Sequence, residues 1–279
     1  MDSIDTMTRR TFLASTAALP VALAAAPGSI PIGLELYSVR DALNKDLPGT
    51  IRAVAKMGYR VVEFYAPYMQ WTPAYAKEVR SILDDAGVKC NSTHNGMDSF
   101  SAAKMPHAIE LNRIIGSHYV VLASPGTVKT LDDYKRAAET LTGALETLKA
   151  AGMGAGYHNH DAEWRPLEGR KPIEVIAANT PQELMLQLDV GTCVETGSDP
   201  VAWIRANPGR IRSLHLKDWS PERGYKVVFG EGAVPWPQLL DAAESVGGAE
   251  YYLIEQEESG DPLETVRQCL LNYRKVRPA

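Results

Sequence analysis

From residue 30 onward, short apolar runs alternate with longer stretches of helical period, and the alternation repeats eight times. The runs at 32–39, 59–64, 88–93, 118–123, 154–158, 184–188, 211–216 and 251–255 are mostly apolar and bounded by turn residues or charge. Strands buried on both faces read this way. Between them, 49–57, 74–86, 134–151 and 236–246 carry apolar residues at helical spacing. Three of these helical stretches stop at Met57-Gly58, Ala86-Gly87 and Ala151-Gly152, just before the next strand. Glycine suits the left-handed position that ends a helix. Eight such units predict an α/β chain folded as a single (β/α)8 TIM barrel rather than an open doubly wound sheet. No G-x-G-x-x-G follows the first strand and no P-loop occurs, which argues against a nucleotide-binding fold. The longest irregular stretch is expected at 161–170, after the fifth strand.

Composition supports one packed barrel. Hydrophobic residues make up 45% of the 279, enough for a sizeable core, so disorder is excluded. The net charge of −5 comes with scattered basic residues, and the clustered stripe that a nucleic-acid partner requires is missing. Cys90, Cys193 and Cys269 are widely spaced, matching neither a disulfide framework nor a zinc motif, and are expected as free, buried thiols.

The N-terminus changes the picture. Thr8-Arg9-Arg10-Thr11-Phe12-Leu13 puts paired arginines ahead of a weakly apolar, Ala-rich run that ends in Ala24-Ala25-Ala26. The run falls short of the roughly 20 apolar residues a membrane-spanning helix needs. It resembles a twin-arginine (Tat) export signal with a small-residue cleavage site. The expected organisation is therefore a signal peptide at 1–26 and the barrel at 27–279. The mature protein is expected in the periplasm or secreted, with no membrane association after cleavage.

Barrels of this kind carry their chemistry at the C-terminal ends of the strands. The polar residues there are concentrated: Glu63 on the second strand, His94 after the third, His158 and His160 at the fifth and Asp189 at the sixth. His215 follows on the seventh, with Lys217 and Asp218 beyond it, and Glu255 closes the eighth. Four of the six histidines fall at these ends, whereas His107 and His118 read as structural. Imidazole and carboxylate together suit one divalent metal ion: Mn, Co, Zn, Fe or Mg.

The segments Gly33-Leu34-Glu35-Leu36-Tyr37-Ser38-Val39-Arg40-Asp41, Gly156-Tyr157-His158-Asn159-His160-Asp161, Leu188-Asp189-Val190-Gly191, Leu214-His215-Leu216-Lys217-Asp218 and Tyr252-Leu253-Ile254-Glu255-Gln256 occur in this order. In this combination the chain resembles, over nearly its whole length, the sugar phosphate isomerase/epimerase family of xylose isomerase-like barrels. The resemblance implies a metal shell of His158, Asp189, His215 and Glu255. Many relatives carry Glu where this chain has His158, paired with the strand-eight Glu as two bases, so a symmetric two-carboxylate mechanism is not implied. Either His158 or His160 is the strand-five ligand, with His158 favoured.

Such a site supports proton transfer next to a carbonyl through a metal-stabilised enediolate. Glu255 is the leading base, with His158, His160 or Glu63 as second proton-transfer group. Lys217 is a donor to the substrate oxygen, and His94 binds a hydroxyl. Tyr37, Tyr65, Tyr68, Trp71, Trp164 and Trp219 offer faces for sugar C–H surfaces, with Tyr37 and Trp219 the chosen contacts. The expected function is an isomerase or epimerase of an unphosphorylated or 3-oxo sugar. One alternative is a lyase that cleaves 3-oxo-glycosides by β-elimination. Another is a non-catalytic periplasmic sugar-binding protein. A nuclease resembling endonuclease IV needs more ligands and a basic face.

Overall fold

A computed structural model describes residues 30–278. The signal-like segment at 1–26 lies outside them. Eight parallel strands close into a barrel in sequence order: β1 (Ile32–Glu35), β2 (Val61–Phe64), β3 (Lys89–Gly96), β4 (Tyr119–Ser124), β5 (Gly154–His158), β6 (Met185–Asp189), β7 (Ser213–Leu216) and β8 (Tyr251–Ile254). β8 pairs with β1 through Gly33 opposite Leu253, which completes the ring.

All eight expected runs contain a strand, because a strand covered by helices outside and side chains inside must be apolar on both faces. The first run overshoots: β1 ends at Glu35, and Leu36–Val39 turns into a 3-10 helix. The Glu35 carboxylate accepts the N–H of Tyr37 at 3.2 Å and starts that turn. The expected helices correspond to Leu47–Met57, Pro73–Ala86, Leu131–Ala150 and Trp236–Ala242, the last running on into a π-helical turn at Ala243–Gly247. Gly58 (φ 112°) and Gly87 (φ 67°) end the first two in the left-handed region. The stretch after β5 is shorter in irregular structure than expected, since Asp161–Trp164 and Pro172–Ala178 are helical. The long irregular segment instead follows β7, from Lys217 to the helix at Trp236.

Most of the core lies between the strands and the outer helices. A separate, small cluster of Val61, Tyr251 and Leu253, with Tyr119 against it, fills one end of the barrel interior. Two residues beyond Val61 and Leu253 stand the polar Glu63 and, just past β8, Glu255; on β7 His215 is likewise polar. A register shift between Val62 and Glu63 sets Ser92 rather than Asn91 opposite Glu63. Bulges re-aim side chains in this way. Cys90, Cys193 and Cys269 are buried and free. Among the described residues no helix is long and apolar enough to cross a membrane.

Candidate active site

The strand-end residues meet at one mouth of the barrel. A cavity of about 330 Å³ is lined there by Glu35, Tyr37, Tyr65, His94, His158, His160, Glu255 and Glu257, among others. Three imidazoles stand together: His158 lies 4.4 Å from both His94 and His215, centroid to centroid, and the latter two stack nearly parallel at 5.1 Å.

His215 is fully buried between two carboxylates. Its Nδ1 meets Glu255 Oε2, and its Nε2 meets Glu63 Oε1 at 2.7 Å. Burial opposes a charge on this ring, yet Glu255 and Glu63 outweigh it and hold the imidazole well above its ordinary range. His158 goes the other way: burial, reinforced by the rings of His215 and His94, pushes it well below that range. For Glu255, burial resists ionisation, but Lys217 and His215 more than offset it and keep the carboxyl well below the usual carboxylate range.

Lys217 is buried among carboxylates and lines an adjoining cavity with His160 and Glu257. Its Nζ donates to Glu255 Oε1 at 3.0 Å and to Glu257, and lies 3.7 Å from Asp189 Oδ2. Burial with the Glu255 contact raises Glu257 to about 7. Asp218 is not the partner of Lys217. Its carboxylate accepts the N–H groups of Trp219, Gly230 and Gly232 and the indole of Trp236, at 2.8–3.2 Å, and so pins the segment after β7. That anchoring explains why Trp219, expected as a substrate contact, is not among the residues lining the cavity, whereas Tyr37 and His160 are. Glu63 also differs from expectation. It lies fully buried outside that lining, its Oε1 facing His94 and His215 and its Oε2 facing Ser92 and Gln187.

The expected metal ligands divide. His158, Asp189 and Glu255 offer ligand atoms within 4.8 Å of one another, and so do His94, His158 and His215, as well as Glu35, Glu63 and His94. Asp189 Oδ1 caps the following helix through Thr192 N–H, while its Oδ2 is buried without a hydrogen-bond partner. A buried carboxylate oxygen left without a donor is costly, and a cation shared with His158 and Glu255 removes that cost. The donor set therefore fits a divalent ion. His215 belongs to the same cluster, with both its nitrogens engaged by carboxylates.

Sequence reasoning missed Glu257, one residue beyond the segment it singled out after β8, and two residues on the strands themselves. Glu35 ends β1 inside the cavity, and burial followed by repulsion from Glu63 raises its carboxyl well above the ordinary range. The strand-end rule finds it once β1 is stopped where the 3-10 turn begins. Gln187 lies two residues before Asp189 on β6, hence on the same face, so alternation alone exposes it.

Fold and site together define a (β/α)8 barrel whose C-terminal mouth carries a His/Asp/Glu cluster suited to a cation. Residues 51–274 match the family model described as xylose isomerase-like TIM barrel, and the chain belongs to that family. Among curated proteins it is 22% identical over 239 residues to the rhizopine catabolism protein MocC of Rhizobium meliloti, covering 72% of this chain and 71% of MocC. A sugar phosphate isomerase/epimerase from Parabacteroides distasonis superposes with a TM-score of 0.75 at 25% identity, over 95% of this chain and 99% of that one. A D-psicose 3-epimerase, solved with D-fructose, shares the fold at 15% identity and a TM-score of 0.69, over 90% of this chain and all of that one.

Proposed function

We propose that this protein is a metal-dependent isomerase or epimerase of an unphosphorylated or 3-oxo sugar, moving a proton on the carbon next to a carbonyl. The observation that carries the reading is the buried Asp189 Oδ2 within the His158–Asp189–Glu255 group, which has no hydrogen-bond donor and only the Lys217 ammonium 3.7 Å away. The similarity to a sugar phosphate isomerase/epimerase supports the reaction class. Against a phosphorylated substrate, the N–H groups of Gly230 and Gly232 after β7 are already bonded to Asp218, so they are not free to hold a phosphate. The Tat-like signal supports the same choice, since export to the periplasm or beyond takes the enzyme away from phosphorylated intermediates.

His158, Asp189 and Glu255 would hold the ion, and His215 would join them through Nδ1 once that nitrogen gives up its proton and its contact with Glu255. A divalent cation bound there would supply positive charge that polarises the carbonyl oxygen. Glu255, which Lys217 keeps ionised, takes the proton from carbon, and His160 across the cavity returns one to the neighbouring atom or the other face. His160, His94 and Tyr37 line the wall on which sugar hydroxyls bind. Lys217 balances the carboxylates rather than protonating substrate.

The test is metal content together with solvent exchange. Wild-type protein is expected to bind Mn, Co, Zn, Fe or Mg near stoichiometrically and to wash deuterium from D2O into a ketose or 3-oxo-glycoside. Asp189→Ala should lose the metal, and Glu255→Gln should slow exchange by about 10²–10⁴-fold. Wild-type protein that takes up none of these ions, yet still binds sugar, would make it a sugar-binding protein.

A further inference from the structure

Gln187 is buried at the centre of the cluster and bonds four of its members. Its Oε1 lies 2.7 Å from His94 Nε2 and 3.0 Å from His158 Nδ1, and its Nε2 donates to Glu63 Oε2 at 3.0 Å and to Ser213 Oγ at 3.2 Å. We propose that Gln187 is a positioning residue that sets which nitrogens of His94 and His158 carry protons, and so turns the Nε2 lone pair of His158 to the cation group.

An amide oxygen only accepts and an amide NH2 only donates, so the orientation of Gln187 decides the question. Turned over, its oxygen would face the carboxylate of Glu63, acceptor against acceptor. Glu63 therefore fixes the amide with its oxygen toward the two rings. His158 must then donate from Nδ1, and in a neutral ring Nε2 is left as the only lone pair. His94 Nε2 lies between two acceptors, Gln187 Oε1 at 2.7 Å and Glu63 Oε1 at 3.0 Å, and carries a proton. Gln187 makes no bond to His160. A ring nitrogen that donates to a carbonyl leaves the opposite nitrogen oriented for a metal, and removing such an orienting partner costs about 10–100-fold in metal affinity. The choice between His158 and His160 as ligand then falls on His158.

The part of this inference that concerns the cation rests on the metal-dependent reading above, so the first measurement is made without metal. Long-range 1H–15N NMR of the imidazoles in metal-free wild-type protein is expected to give His158 as the Nδ1–H tautomer. Gln187→Leu should give a mixture or the Nε2–H form. Mn²⁺ affinity of Gln187→Leu should fall by about 10–100-fold. Wild-type His158 found as Nε2–H overturns the inference without any variant. So does a folded Gln187→Leu protein that keeps both the wild-type tautomer and the wild-type affinity. The tautomer shift between wild type and Gln187→Leu, in a protein that binds none of Mn, Co, Zn, Fe or Mg, overturns the metal-dependent reading alone and upholds the role of Gln187 in the cluster.

Discussion

Lys217 shows how one side chain sets the charge state of a site. Its ammonium is surrounded by Glu255, Asp189 and Glu257, and its own charge is held by them against burial. Removing one member of a buried pair leaves the partners uncompensated, at about 3–5 kcal/mol. Lys217→Met is therefore expected to lower unfolding stability by that amount in urea titration. A change below about 1 kcal/mol would mean that the carboxylates neutralise each other by protonation. Of its partners, Asp189 and Glu255 were legible because they end apolar runs, where a charge is conspicuous, whereas Glu257 sits in the polar stretch beyond. Glu63 was legible too, but its surroundings were not: the register shift beside it and the bonds to Ser92 and Gln187 appear only in three dimensions. Gln187 escaped because an uncharged amide inside an apolar run carries no signal beyond its alternation with Asp189.

The elements were read more fully than the residues. Each strand stands out because both faces are covered, and the helices stop where glycine takes a left-handed conformation. The boundary of β1 was obscured because Leu36 and Val39 stay buried through the 3-10 turn, so burial persists after the strand conformation has ended. The helix Leu131–Ala150 is the longest described and starts with a reciprocal cap. Thr130 Oγ1 accepts Asp133 N–H, and Asp133 Oδ2 accepts the N–H groups of Lys129 and Thr130. Those bonds, the Lys129 N–H first, lower the Asp133 carboxyl to about 2. A pKa depressed on folding adds stability above the unfolded value of about 4, lost as pH falls through the folded value. The gap in urea midpoint between wild type and Asp133→Asn should therefore be full above about pH 4 and close toward pH 2. A pH-independent gap would show that the carboxylate charge does not contribute. Thr130→Ala should cost about 1 kcal/mol at neutral pH.

At the scale of the whole molecule, export and folding meet. If the paired arginines route a folded protein, Arg9→Lys with Arg10→Lys should retain it in the cytoplasm, as read by cell fractionation. Undiminished export of that variant would remove the Tat reading and, with it, one argument for an unphosphorylated substrate. The closure of β8 on β1 bears on the same process in time. The ribosome makes β8 last, and until it arrives β1 and β7 are open edges of the kind that invite wrong partners. Glu255 arrives directly after β8, so the carboxylate group is incomplete until the ring can shut. Ring closure and site assembly thus coincide at the end of synthesis, and a chain clipped before β8 is at once sticky and inert.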